Sequence, residues 1–254
     1  MGRSFTVWGI IINSMRLNYR SICFSIFSML LILGKTYGQS HVRISMGVNY
    51  GSFSMSDMKQ LQEEFLDDLS MDLKHGRITD NFPAFFGVDG SVAWDSYKFL
   101  LGLEVGYNST AGRIAYSDYS GKIIVDQFVR APRVAFSWSW KLRPHNSKWE
   151  PLLIFNGGLI FNTYKVNYLL QTTNTRHIDE LKFKSINPYL SFGAGINRRI
   201  GRFFLSGRLQ YQKDIPSDVH LSSDADVKLL NDDGENVGVD WSGIRVAAAI
   251  GLRL

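Results

Sequence analysis

The sequence predicts an all-β chain: an eight-stranded antiparallel up-and-down transmembrane β-barrel with one short helix in its first outer loop. Three observations carry that expectation. Apolar residues recur at period two in eight successive segments. The connections between those segments alternate short and long. The face opposite the apolar one is mostly Gly, Ala, Ser and Asn, which suits a cramped lumen better than a solvent surface.

The chain has 254 residues, with 28 Lys and Arg, 23 Asp and Glu, and one cysteine. Residues 1–38 hold Arg3, Arg16, Arg20, Lys35 and Cys23, and no acid. The remainder therefore carries 24 basic against 23 acidic residues and is nearly neutral. That removes the compositional case for nucleic-acid binding. A cysteine-free remainder also excludes disulfides, cysteine-based zinc sites and thiol chemistry. Ile22 to Leu33 is an uncharged run behind Arg16 and Arg20, with small residues before a cut at Gln39. It is shorter than the about 20 apolar residues that span a bilayer. The layout predicts a signal peptide over 1–38 and a barrel domain over 39–254, with Met15 as an alternative start. Cys23 opens the run instead of closing it, which argues against a lipid anchor.

Each strand is read from its alternation. Strand one runs from His41 to Tyr50 with Val42, Ile44, Met46, Val48 and Tyr50 on one face. Strand two has Phe86, Val88, Val92 and Trp94, and strand three Phe99, Leu101, Leu103, Val105 and Tyr107. Strand four shows Val134, Phe136, Trp138 and Trp140; strand five, Leu153, Phe155, Leu159 and Phe161. Strands six and seven set Leu190, Phe192, Ala194 and Ile196, then Phe203, Leu205, Leu209 and Tyr211. The last runs from Ile244 to Leu254 as IRVAAAIGLRL.

Short connections follow strands two, four and six, near Asp95, His145 and Gly201. Long ones cover about Gly51 to Asn81, Ser109 to Ile124, Gln171 to Leu181 and Asp214 to Gly238. This order fits an outer-membrane barrel with both termini in the periplasm. The apolar face also ends in aromatic residues at both rims. Trp94, Trp138, Trp140 and Phe203 lie toward the short turns, and Tyr50, Tyr107 and Tyr211 toward the long loops. Such belts mark the two membrane interfaces.

This arrangement, with the terminal strand GIRVAAAIGLRL, resembles the small outer-membrane barrels of the OmpA, OmpX and OmpW kind. It is especially similar to the PorT-like barrels of Bacteroidota. The resemblance implies a Gram-negative cell envelope and outer-membrane lipids around the barrel. It also implies handling by the barrel assembly machinery, an envelope protein partner as one option, and no catalytic motif.

On the inward parity, Asp89, Glu104, Arg133, Arg208 and Arg245 stand at comparable heights above the short-turn rim and form a candidate charge cluster in the lumen. Charges in a dry lumen must be paired or hydrogen-bonded. The histidines are His41, His75, His145, His177 and His220, in loops, a turn or at the barrel start. Asp80, Asp179 and Asp218 lie near three of them, yet no nucleophile, base and acid share a strand face, so no catalytic residue is expected. A loop-borne outer-membrane hydrolase built on an Asp/His pair across loops stays the lesser alternative. Asp224 and Asp226 open like a calcium loop, but Lys228 takes a ligand position. The stretch Asp214 to Gly238 therefore reads as a solvated acidic outer loop, and neither metal nor cofactor is expected. Ser56 to Lys74 reads as a helix capped by Ser56, with Met58, Leu61, Phe65, Leu66, Leu69 and Leu73 on one face. A lid over the barrel mouth is favoured over a partner-docking helix.

Overall fold

The computed structural model describes residues 41–72, 77–117, 119, 121–143, 147–172 and 175–254. The expected signal peptide, Cys23, Met15, His75 and His145 lie outside them. The elements are β1 (His41–Gly51), α1 (Ser56–Asp72), β2 (Arg77–Asn81), β3 (Phe85–Asp95), β4 (Phe99–Ser117) and β5 (Gly121–Lys141), then β6 (Trp149–Thr172), β7 (Arg176–Ile200), β8 (Phe203–Asp214), β9 (His220–Leu221), β10 (Asp224–Lys228) and β11 (Gly243–Arg253).

Eight of the strands close into a ring. Its order is β1, β3, β4, β5, β6, β7, β8 and β11, each antiparallel to the next, with β11 returning to β1. Closure leaves no open edge in the wall. Pairing is staggered. From Tyr50 through β11, β8, β7, β6 and β5 the ladder arrives at Phe99 on β4. From Val48 through β3 it arrives at Tyr107, near the other end of the membrane face of the same strand. That offset is the shear that tilts barrel strands.

The apolar parity faces outward on every wall strand. Ile44, Met46, Val48, Leu103, Val105, Phe192, Leu209 and Ile250 are exposed, while the Ser, Asn, Gln and charged side chains between them are buried. Among the aromatics expected at the rims, Tyr50, Tyr107, Trp138, Trp140, Phe203 and Tyr211 are exposed on this outer face. Trp94 is half-buried there. Tyr50 packs on Phe86 (5.0 Å between ring centres) and Tyr211 on Phe192 (5.8 Å).

Two of the long loops are not loops. Ser109 to Ile124 and Gln171 to Leu181 are mostly strand, because β4 and β5, and β6 and β7, continue as paired hairpins past the apolar band. Both faces there are polar or mixed, so the period-two signal fades while the backbone ladder persists. β2 adds to the β4 extension, and β9 to that of β7.

The first connection folds over the mouth of the barrel. Met55 and Phe82 flank it, both with left-handed backbone (φ 47° and 45°) and both fully buried. Such conformations cost about 1–3 kcal/mol each in non-glycine residues and persist where packing over-determines them. Here Met55 N–H donates to Asp240 C=O (3.0 Å) and Phe82 N–H to Ala111 C=O (3.1 Å). The first helical bond, Lys59 N–H to Met55 C=O, makes Met55 the cap position; the Ser56 hydroxyl instead donates to the Asp57 carboxylate (3.1 Å). The stripe Met58, Leu61, Gln62 and Phe65 packs inward, and Gln62 donates to the Asp80 carbonyl (2.9 Å). Leu66 is half-buried beside it, Leu73 lies outside the described residues, and the side chain of Leu69 is not among those described.

Candidate functional site

The lumen is the one place where, among the described residues, charged side chains converge out of solvent. Four of the five expected there are joined. Arg133 on β5 bridges Asp89 on β3 (2.5 Å) and Glu104 on β4 (2.9 Å), and Arg208 on β8 reaches Glu104 across the barrel (3.1 Å). Arg133 also donates to the Tyr189 hydroxyl (3.1 Å), and Asn49 donates to Asp89 (2.8 Å). Gly106 makes the site: a Cβ there would lie 2.6 Å from both Arg133 Nε and an Asp89 oxygen. A small residue on the inward face of β4 is what lets a guanidinium lie flat against the wall.

Arg245 is not joined. Its side chain is buried, and none of its three nitrogens has a hydrogen-bond partner among the described residues. It sits instead near the ring of Phe53, 5.6 Å from the centroid. Arg245 is the third residue of β11 and lies directly below the mouth, where Phe53 caps it. Equal offsets along the strands therefore do not bring it into hydrogen bonding with the other four, because the register is staggered from strand to strand around a sheared barrel.

A second cluster, which the inward charges named above do not include, lies nearer the short turns. Arg43 on β1 bridges Asp95 (2.6 Å) and Glu150 (2.8 Å), Lys141 donates to the same Asp95 carboxylate and to the Ser96 carbonyl, and Arg253 stands 3.5 Å from Asp95. Asp95, Glu150 and Lys141 are almost fully buried. The sequence pattern puts Asp95 and Glu150 in short turns, where an acid is ordinarily solvated. The signal that finds them is parity, since Arg43, Asp95, Lys141 and Glu150 all fall on the inward side of their strands.

Between these clusters, cavities of about 30 Å³ beside Arg43 and Arg208 and about 10 Å³ beside Asp89 and Glu104 have room for little more than single waters. Above them the mouth is filled by an apolar cluster of Phe53, Met55, Met58, Phe82, Val239 and Trp241 with wall residues Ile160 and Tyr164. Trp241 Nε1 donates to Asn162 (2.7 Å), and Trp241 packs edge-on against Phe53. α1 thus covers the barrel as a lid, held also by Gly238 N–H on the Asp57 carboxylate (3.0 Å).

The last connection is not a uniformly solvated acidic loop. Asp214 is fully buried and accepts from Asn187 (3.0 Å) and from the Trp241 N–H (3.1 Å). Asp218 is exposed and pairs with Lys228 (2.6 Å); the Lys228 ammonium holds the Asp218 carboxyl below the usual carboxylate range. His177 contacts Asp179 (2.7 Å) two residues along an exposed strand. His41 meets the Leu254 carbonyl (3.2 Å), and His220 lines an open groove with Lys184 and Asp218. Among the described residues no group of three metal-ligating side chains converges.

No protein-family model matches the chain, and no curated protein does. Among solved structures it is similar to a major outer-membrane protein of Thermus thermophilus, at 11% identity and a TM-score of 0.47, over 84% of this chain and 99% of that one. It is similar also to the outer-membrane protein OprG of Pseudomonas aeruginosa, at 11% identity and 0.45, over 86% and 97%. A third is Ail, the attachment invasion locus protein of Yersinia pestis, at 10% and 0.37, over 85% and 99%.

Proposed function

We propose that this chain is an integral outer-membrane β-barrel of a Gram-negative envelope, that it is not an enzyme, and that it acts through its outer loops and as an envelope component. The observation that carries the reading is the closed wall whose exposed face is apolar on all eight strands and edged with aromatic residues. Soluble monomers rarely expose a contiguous apolar patch beyond a few hundred Å². A closed antiparallel wall is also the one strand arrangement that satisfies its backbone inside lipid. Helices offer no substitute, since among the described residues none is long and apolar enough to cross a membrane.

The lumen argues for a plugged barrel over a conducting one. Two layers of paired charge and an apolar mouth lie across the path. Membrane fractionation followed by heat-modifiable gel migration tests the proposal. The protein is expected in the outer-membrane fraction, with boiled and unboiled samples migrating differently. Recovery in the soluble fraction would overturn it.

A second reading is an accessory component of an envelope secretion or transport machine, as in the PorT-like family. Its support is the pair of hairpins that project past the apolar band with Tyr119, Ile178 and Leu181 exposed. Gentle detergent extraction followed by co-purification separates the two, because a machine component brings partners with it.

A further inference from the structure

We propose that the short-turn rim of the barrel binds the phosphodiester headgroups of anionic glycerophospholipids. The proposal rests on the membrane reading above. Lys98 lies in the β3–β4 turn, Arg143 and Lys148 in the β5–β6 turn, and Arg198 and Arg202 at the β7–β8 turn, all exposed. Among the described residues none of these five is ion-paired. The acidic side chains at this rim, Asp95 and Glu150, are turned inward and neutralised by Arg43 and Lys141. The internal network thus removes the acidic side chains from the rim surface and leaves the side chains of its three short turns cationic.

Position argues for lipid. The cations occupy every short turn around the circumference, whereas a single docked protein would meet one side. They alternate with exposed Tyr97, Leu142, Trp149, Ile200 and Phe203, the mixture of aromatic and basic anchors that settles at a headgroup layer. Arg198 and Trp149 are paired across β7 and β6, with the guanidinium 5.1 Å from the indole centroid. That contact holds a planar donor fork outward at the edge of the apolar band, ready for a phosphate. The opposite end is mixed in charge: the last outer connection exposes Asp224, Asp226, Asp232, Asp233 and Glu235, while Lys122, Arg176, Lys182 and Lys184 are exposed on the neighbouring hairpins.

The test uses the whole barrel reconstituted in phosphatidylcholine bilayers, with spin-labelled phosphatidylglycerol and phosphatidylcholine as probes. Electron paramagnetic resonance gives their relative association with the protein. Wild type is expected to prefer phosphatidylglycerol by about two- to fivefold at low salt. The preference should fall toward one in about 0.5 M salt, where screening is short-ranged. It should fall likewise in the variant K98Q/R143Q/K148Q/R198Q/R202Q, but not in K182Q/K184Q, which removes charge from the long-loop end. R198Q/R202Q should show a partial loss and serves if the fivefold variant does not fold. A wild-type ratio near one overturns the proposal and leaves the rim to an acidic periplasmic protein. A preference that survives both rim variants overturns it too. Failure to enter the bilayer at all would strike the membrane reading instead.

Discussion

The two halves of the barrel interior are closed by opposite chemistry. Toward the short turns the plug is ionic: Arg43, Asp95, Lys141 and Glu150 in one layer, Asp89, Glu104, Arg133 and Arg208 in the next. Toward the long loops it is apolar, with Phe53, Met55, Met58, Val239 and Trp241 supplied by connections folded back into the mouth. The difference follows from what each half is made of. Wall strands must spend most of their apolar residues on the lipid face, so the lumen toward the short turns takes mainly small and polar side chains, and the charged ones must pair. Leu100, Leu152, Ile154 and Phe204 are inward exceptions. Loops carry no such obligation and can contribute an ordinary core. Arg245 marks the boundary, making no hydrogen bond to the ion pairs and lying against the apolar lid.

Removing one acid from the ionic half should have the largest effect. Asp95→Ala leaves Arg43 and Lys141 with Glu150 as their remaining acid in a buried site, and Glu104→Ala strands Arg208 and leaves Arg133 with Asp89 alone. Each is expected to cost about 3–5 kcal/mol in denaturant unfolding of the detergent-solubilised barrel. Glu104→Ala with Arg133→Ala should cost less than the two added together; additivity would mean that the pair does not interact.

The apolar half should fail locally. Met58→Ala is expected to cost about 2–4 kcal/mol of lid packing. It should appear as faster hydrogen exchange in α1 and faster protease cleavage of the first connection, with a smaller shift of global unfolding. Equal effects on both readouts would make lid and wall one cooperative unit.

Arg245→Met should have the opposite sign to the ionic variants. Replacing an unpaired buried guanidinium by an apolar chain of similar length is expected to be neutral or to stabilise by about 1 kcal/mol. Loss of stability would show that Arg245 belongs functionally with the ion pairs.

The smallest effect belongs to the outer loop. Asp218 has a depressed folded pKa, so its pairing with Lys228 holds at neutral pH and is lost only as pH falls through that lowered value. Both groups are exposed. Asp218→Asn is therefore expected to leave the unfolding midpoint unchanged from about pH 5 to 8, while carboxyl NMR shows wild-type Asp218 titrating below the ordinary aspartate range.

The wall was legible in the sequence because lipid on one side and a narrow lumen on the other impose a strict two-residue period. All eight strands lie where alternation puts them, from Val42 to Leu252. The hairpin extensions at Ser109–Ser117 and Arg176–Leu181 were not, since neither face there meets lipid and hydrogen bonding alone leaves no compositional trace. Four of the five lumen charges converge because inward parity and nearby strands suffice to bring them together. Arg245 escaped because height depends on shear, which is a property of closure and not of any one strand. Asp95 and Glu150 were hidden by sitting next to turn residues, and Asp214 by its acidic neighbours.

The orientation of the wall is the central claim, and single-cysteine scanning of β4 tests it most directly. Residues 39–254 contain no cysteine, so each introduced thiol can be labelled alone with a nitroxide. In reconstituted bilayers, labels at Leu101, Leu103 and Val105 should be relaxed by oxygen dissolved in the lipid and shielded from water-soluble nickel chelates. Labels at Leu100 and Asn108, which replace side chains already facing the plugged lumen, should be shielded from both. A period of two with the odd positions in lipid is the predicted result. The inverse parity, with the odd positions protected and the even ones open to water, would contradict it and make this an inward-facing barrel around a ligand.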